Sequence, residues 1–306
     1  MGWGAILAAM PRVIAMMNQK GGVGKTTSAV NLAAALAASG QRVCLIDLDP
    51  QAHMTLHVGL DPDEIECTVY DLFSNSTRSA ADAVVKVDER LDAIVSETDL
   101  AAAESELAQQ DGRSSLLAEA FKPVADRYDV VMIDCPPSLG VLTINALSMA
   151  DEVLVPMQAH FLALQGVGKL LETVGLVCQS VNPDLEVTGI ILCMHERNTN
   201  LAREVVDDLE SFFNEARGSE APWRNCRVLH PPIRRNIKLA EAPSFGQTIF
   251  QYEPASHGAS DYAALASCLL AGWNGDPPCP TESDPPAIET PDAPIAADTT
   301  GAQGNS

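Results

Sequence analysis

Lys20-Gly21-Gly22-Val23-Gly24-Lys25-Thr26-Thr27 decides the reading of this chain, because an apolar run precedes it and an Ala- and Leu-rich run follows. Val13-Ile14-Ala15-Met16-Met17 predicts a buried strand, and Thr27 to Ser39 predicts a helix packed on both sides. The glycines therefore fall at a strand-to-helix turn. Backbone N–H groups of Gly22, Gly24 and Lys25 can converge there on one anion, since no Cβ stands in the way at the glycines and the helix dipole adds favourable potential. A polyphosphate fits that geometry. Lys25 then meets the β and γ phosphates as a point charge, Thr26 ligates Mg²⁺ through its hydroxyl, and Thr27 faces the α phosphate, with Gly21 and Val23 completing the loop. Lys20 is surplus within such a site. The plain alternative is a glycine-rich turn carrying two solvated lysines.

Working outward, strands alternate with helices. Leu91 to Val95, Asp129 to Asp134, Val153 to Pro156 and Val187 to Met194 read as strands. Ala101 to Arg127, Leu162 to Val181 and Asn200 to Phe213 read as helices. This pattern predicts an α/β fold with a mostly parallel, twisted sheet covered by helices on both faces. Ligands in such folds bind beyond the carboxyl ends of the strands, where Asp47, Asp49, Asp134, Gln158 and His195 fall. Asp134 ends an apolar strand, a costly place for a carboxylate unless it serves a cation, and Mg²⁺ contacted through water suits it. Capping the helix after Ser138 is its alternative role.

At 306 residues the chain has no Gly/Ser- or Pro-rich linker before residue 274, which favours one large domain over two small ones. Residues 1–10 read as a flexible extension, 11–274 as the domain, and 275–306 as a disordered tail rich in Pro and acidic residues. No apolar run reaches bilayer-spanning length. Cys44, Cys178 and Cys193 lie in apolar runs and read as small core residues, and no Cys-x-x-Cys spacing suggests a metal site. The formal net charge is −22, and the tail's Asp276, Glu282, Asp284, Glu289, Asp292 and Asp298 leave −16 on the rest.

The loop resembles the deviant Walker A motif of the ParA/MinD superfamily of P-loop NTPases, whose extra lysine stands where Lys20 stands. Val43 to Gln51 resembles the family's second strand and first switch, and Val130 to Ser138 its Walker B strand and second switch. Glu241-Ala242-Pro243-Ser244-Phe245-Gly246 is similar to a segment of the ParA and Soj partition branch, and the matches run from about Arg12 to Trp273. The resemblance implies an ATPase using ATP and Mg²⁺, with Lys20, Lys25, Asp49 and Asp134 in catalysis and Thr26, Asp47 and Asp134 at the metal. Asp49 would position the attacking water and Asp47 support the metal and the switch; an exchange of these two roles is the alternative. Lys20 would cross a nucleotide-sandwich homodimer to the partner's phosphates. Met194, Arg235 and Asn236 would flank the adenine, although Pro232 stands one place early and Glu196 and Asn198 replace the family's usual Asp and Arg.

Further implications are nonspecific DNA binding, a ParB-like stimulating partner, and a cytoplasmic, nucleoid-associated location without membrane attachment. Between Ala221 and Ala240 there is no carboxylate, whereas Arg224, Arg227, Arg234, Arg235 and Lys238 gather there, where the resemblance places a DNA surface. Pairing of these residues with nearby carboxylates is the alternative. A MinD-like membrane switch would need a basic amphipathic C-terminal helix instead of an acidic tail. An iron–sulfur reductase sharing the loop would need paired cysteines. Related ATPases that position chemoreceptor arrays or carboxysomes carry nearly the same motifs, so the cargo stays open.

Overall fold

A computed structural model describes residues 10–74, 77–107, 112–160, 163–196 and 200–275. The expected extension and acidic tail lie outside them, apart from Met10 and Gly275. Eight strands form one sheet: β1 (Arg12–Met16), β2 (Val43–Asp47), β3 (Val84–Asp88), β4 (Leu91–Ile94), β5 (Val130–Asp134), β6 (Glu152–Met157), β7 (Glu186–Leu192) and β8 (Arg227–Leu229). Their order is β3-β4-β2-β5-β1-β6-β7-β8. Every neighbouring pair is parallel except β3 with β4, a bulged antiparallel pair at the edge.

Alternation along each strand divides the core in two. Val13 and Ala15 face one buried cluster with Cys44, Ile46, Val131 and Ile133, while Ile14 and Met16 face the other with Val43, Leu45, Val130 and Met132. Both faces are dry, which is why these strands read as unbroken apolar runs. Helix α1 (Lys25–Ala38) lies over the second cluster, and the last helix, His257–Trp273, covers it in turn through Tyr262, Leu265, Ala266 and Leu269. That final helix starts on Ser256, whose hydroxyl accepts from the N–H of Ala259 at 3.2 Å.

One expected element is divided. Ala101 to Arg127 contains a helix, Leu100–Leu107, then a second, Leu116–Phe121, and a 3₁₀ stretch, Lys122–Arg127. Gly112 adopts φ 74°, outside helical backbone, and Pro123 has no N–H to continue an α-helical ladder. The sheet's register then does the work that matters for the site: Met16 and Asp47 both sit opposite Asp134. Three strand ends are thus brought together beneath the glycine loop.

Candidate nucleotide site

The loop leads into α1 without a side-chain cap. Gly24 occupies the N-cap position at φ 94°, and a Cβ there would lie 3.3 Å from both Cβ and Sγ of Cys193. Glycine meets both demands, left-handed backbone and close approach. No side chain caps the N–H groups at the start of α1, and Lys25, Thr26 and Thr27 line the cleft, an arrangement suited to anions. The exit of β6 holds the loop from outside: Asn18 Nδ2 donates to the Pro156 carbonyl at 2.7 Å, and Gln158 Nε2 to that of Gly22 at 3.2 Å.

Below the loop, Lys25 Nζ donates to Asp134 Oδ1 at 2.6 Å and Thr26 Oγ1 to Asp134 Oδ2 at 2.7 Å. Asp134 is fully buried and Lys25 is only 8% exposed. Burial lowers the Lys25 pKa, but the charge and hydrogen bond of Asp134, with Asp49 and other neighbours, together more than offset it, so the ammonium is held more firmly than usual. Asp49 Oδ2 lies 3.9 Å from the same ammonium, and its Oδ1 accepts from the Gln51 N–H at 3.1 Å. Thus Lys25, Thr26, Asp49 and Asp134, all singled out from sequence, converge on one point.

Asp47 has a different setting. Its Oδ1 accepts the Asp49 N–H at 3.0 Å, and its Oδ2 accepts both the N–H and hydroxyl of Thr55 at 2.9 and 2.8 Å. Burial first, then the Asp134 charge, raises its pKa well above the usual carboxylate range. Thr55 belongs to α2 (His53–His57), so Asp47 ties the sheet to the helix after Asp49. At the far end of α2, Gly59 (φ +78°) abuts Gly246 (φ +63°); a Cβ on Gly59 would stand 2.7 Å from the Gly246 carbonyl oxygen.

A cleft of about 610 Å³ opens over these groups, lined by Lys20, Gly21, Gly22, Gly24 to Thr27, Asp49 and Gln51, with Pro243 and Ser244 opposite. Val23 is buried under the loop. A smaller adjoining recess of about 100 Å³ is lined by Gly24, Thr27, Cys193, Met194, Asn236 and Tyr262 among others. Met194 and Asn236 therefore lie together beside the loop. Arg235 does not line that recess; its side chain is 71% exposed and pairs with Glu196 at 3.4 Å. Arg234 lines it instead, fastened to Asp261. Sequence reading did not find Tyr262 or Ser28, whose hydroxyls meet at 3.0 Å behind the recess, because each is ordinary within its own helix. Asn198 lies outside the described residues.

The basic residues of 224–238 divide between the two ends of β8. Arg224 and Arg227 stand at its start, and Arg234, Arg235 and Lys238 follow its end. Arg224 pairs with Glu186, Arg234 with Asp261, Arg235 with Glu196 and Lys238 with Glu241. Arg227 makes no ion pair with another described residue. Among the described residues no helix is long and apolar enough to cross a membrane, and no three His, Cys, Asp or Glu residues cluster as metal ligands. Mg²⁺ does not need such a cage, since it keeps waters and shares one or two carboxylates with substrate phosphates. A Thr26 hydroxyl beside Asp134 fits that donor set.

Known proteins share this arrangement. The AAA domain family (AAA_31) matches residues 11–187. The chromosome partitioning protein ParA of Myxococcus xanthus is 41% identical over 270 residues, covering 88% of this chain and 90% of its own. The chain belongs to the ParA/Soj family. The sporulation initiation inhibitor protein Soj of Bacillus subtilis is likewise 41% identical, over 86% of this chain and 99% of its own. A solved structure named cobyrinic acid a,c-diamide synthase, from Mycobacterium smegmatis with bound ADP and magnesium, superposes at a TM-score of 0.75 with 37% identity. It covers 90% of this chain and 100% of its own. The ParA/Soj fold here is accordingly that of P-loop NTPases.

Proposed function

We propose that this ParA/Soj chain is an ATP-driven positioning switch. It binds ATP with Mg²⁺, dimerises on it, associates with nonspecific DNA, and hydrolyses ATP slowly until a ParB-like partner stimulates it. The observation that carries this reading is Lys25 and Thr26 converging on one fully buried carboxylate, Asp134, at the start of an uncapped helix. Asp134 neutralises the Lys25 ammonium by a direct ion pair. Binding of a polyphosphate draws Lys25 toward the β and γ phosphates and leaves Asp134 and Thr26 to hold the metal side.

Mg²⁺, when bound, offsets charge on the β and γ oxygens. The protein supplies orientation for the rest of the reaction. Asp49, beside Lys25 and at the mouth of the cleft, aligns the attacking water and accepts its proton. Asp47 fastens α2 so that Asp49 is held at the correct angle, while also supporting the metal side. Lys20, exposed at the loop's entrance, reaches across the dimer to the partner's phosphates, an effect of the arginine-finger class worth about 10³–10⁵ in rate. Met194, Asn236 and Arg235 stand on the base side.

DNA binding is assigned to Arg234, Arg235 and Lys238 at the nucleotide end, with Arg224 and Arg227 extending it along β8. The acidic body favours such local attraction over a general one. The cargo is a chromosome or plasmid, with chemoreceptor arrays and carboxysomes as the competing cargoes, and the location is cytoplasmic and nucleoid-associated. The name of the Mycobacterium smegmatis structure, a cobyrinic acid a,c-diamide synthase, suggests amide synthesis instead. The deciding experiment measures ATP-dependent DNA binding of wild type and Arg234→Ala/Arg235→Ala across salt. Each lost phosphate contact should flatten the log–log slope by about 0.9. An unchanged slope rejects the assigned surface, and no ATP-dependent DNA binding by wild type rejects the positioning role.

A further inference from the structure

The signature lysine is not loose in the absence of a partner. Lys20 Nζ lies 2.6 Å from Nε2 of His160. An ammonium group has only donors, so the imidazole must accept, which requires a neutral ring with its proton on Nδ1. His160 follows β6, the strand whose exit already grips the loop through Asn18 and Gln158. The backbone of Lys20 is fixed from the same side, its N–H donating to Asn18 Oδ1 at 2.9 Å. Both backbone and side chain of Lys20 are thereby aligned along β6.

We infer that His160 is a positioning residue that holds Lys20 within its own protomer, and so sets the ATP concentration at which two copies associate. This rests on the cross-subunit role proposed for Lys20. A lysine that must reach a second copy's phosphates first has to leave His160, and the same step occurs on each protomer. The contact therefore opposes association twice per dimer. A hydrogen bond between a charged donor and a half-exposed acceptor shifts such an equilibrium by about threefold, hence about tenfold for the pair. Neutral imidazole suits the task because it competes with water for the ammonium but loses to phosphate, which carries full charge.

The experiment follows the mass of the full-length chain by light scattering during ATP titration, with KM and kcat measured alongside. His160→Ala should lower the half-saturating ATP concentration for dimerisation about threefold, since two ATP enter each dimer, and lower KM more than it changes kcat. His160→Gln, which keeps a carbonyl acceptor, should return part of the way. In a Lys20→Ala background, assayed at raised protein concentration, removing His160 should change nothing. Equal shifts with and without Lys20 would reduce His160 to a packing residue and overturn the inference, as would no shift in the Lys20-containing chain. Unimpaired dimerisation and turnover of Lys20→Ala alone would instead reject the cross-subunit reading on which the inference stands. The nucleotide-free contact has its own readout: the imidazole nitrogen chemical shifts of His160 should move on Lys20→Ala, and a static spectrum would refute the contact itself.

Discussion

Replacing Lys25 by Met keeps length and apolar packing but removes the ammonium 2.6 Å from Asp134. Asp134 is then a fully buried carboxylate whose remaining side-chain donor is Thr26, and it faces Asp47 across the β2–β5 register. Breaking a buried ion pair from one side costs about 3–5 kcal/mol, chiefly through the charge left behind. Lys25→Met/Asp134→Asn leaves no such charge and should be destabilised by only about 1 kcal/mol, about 2–4 kcal/mol less than Lys25→Met alone, and Asp134→Asn by itself completes the cycle. The sign of the pH dependence is fixed as well. Asp47 already has a raised pKa from burial and from Asp134, and losing the nearby cation raises it further. A carboxyl with a raised folded pKa contributes stability below its unfolded value and loses it as pH rises toward the folded one. The Lys25→Met deficit should therefore grow from pH 5 to pH 8. Urea unfolding of the three nucleotide-free variants and wild type measures this. A deficit under about 1 kcal/mol for Lys25→Met, additivity in the double variant, or a deficit that shrinks at high pH would refute the electrostatic account.

Gly59→Ala puts a Cβ 2.7 Å from the Gly246 carbonyl oxygen at a φ of +78°, so backbone strain and a displaced loop should together cost about 2–3 kcal/mol, read as a lower urea midpoint; a loss below about 0.5 kcal/mol would show that the two glycines separate freely. Burial lowers the pKa of His57 to about 4, so its neutral ring contributes stability above the ordinary value, and that contribution, about 3 kcal/mol in full, disappears as pH falls through the window between them. His57→Leu should flatten this part of the stability curve, and an unchanged slope between pH 7 and pH 4 would assign it to other groups.

The central strands and α1 were legible in the sequence because both faces of the sheet are buried, leaving runs such as Val130-Val131-Met132-Ile133 with no polar interruption. Lys25, Thr26, Asp49 and Asp134 were legible because their spacing from the glycines and strand ends fixes where they point. Strand β3 was not, although its partner β4 was, since Val84-Val85-Lys86-Val87-Asp88 is half exposed and mixes charge with valine at an edge. Nor was the exchange of Arg235 for Arg234 at the base recess: the choice depends on Asp261, far along the chain, which captures the guanidinium of Arg234. His160 escaped for the same reason, being an unremarkable residue 140 positions from the lysine it meets.

The missing cap at the start of α1 has a thermodynamic consequence. A side chain that accepts from the first N–H groups completes a helix start, as Ser256 does for the last helix, and α1 has none. The folded chain therefore carries an unfinished helix whose completion comes only from outside, so its resistance to heat becomes a measure of nucleotide supply. At a hundredfold excess over the dissociation constant, that linkage amounts to about 2.7 kcal/mol. The loop acts, in this sense, as a gauge: the same N–H groups that recognise phosphate record, in the melting temperature, how much of it is present.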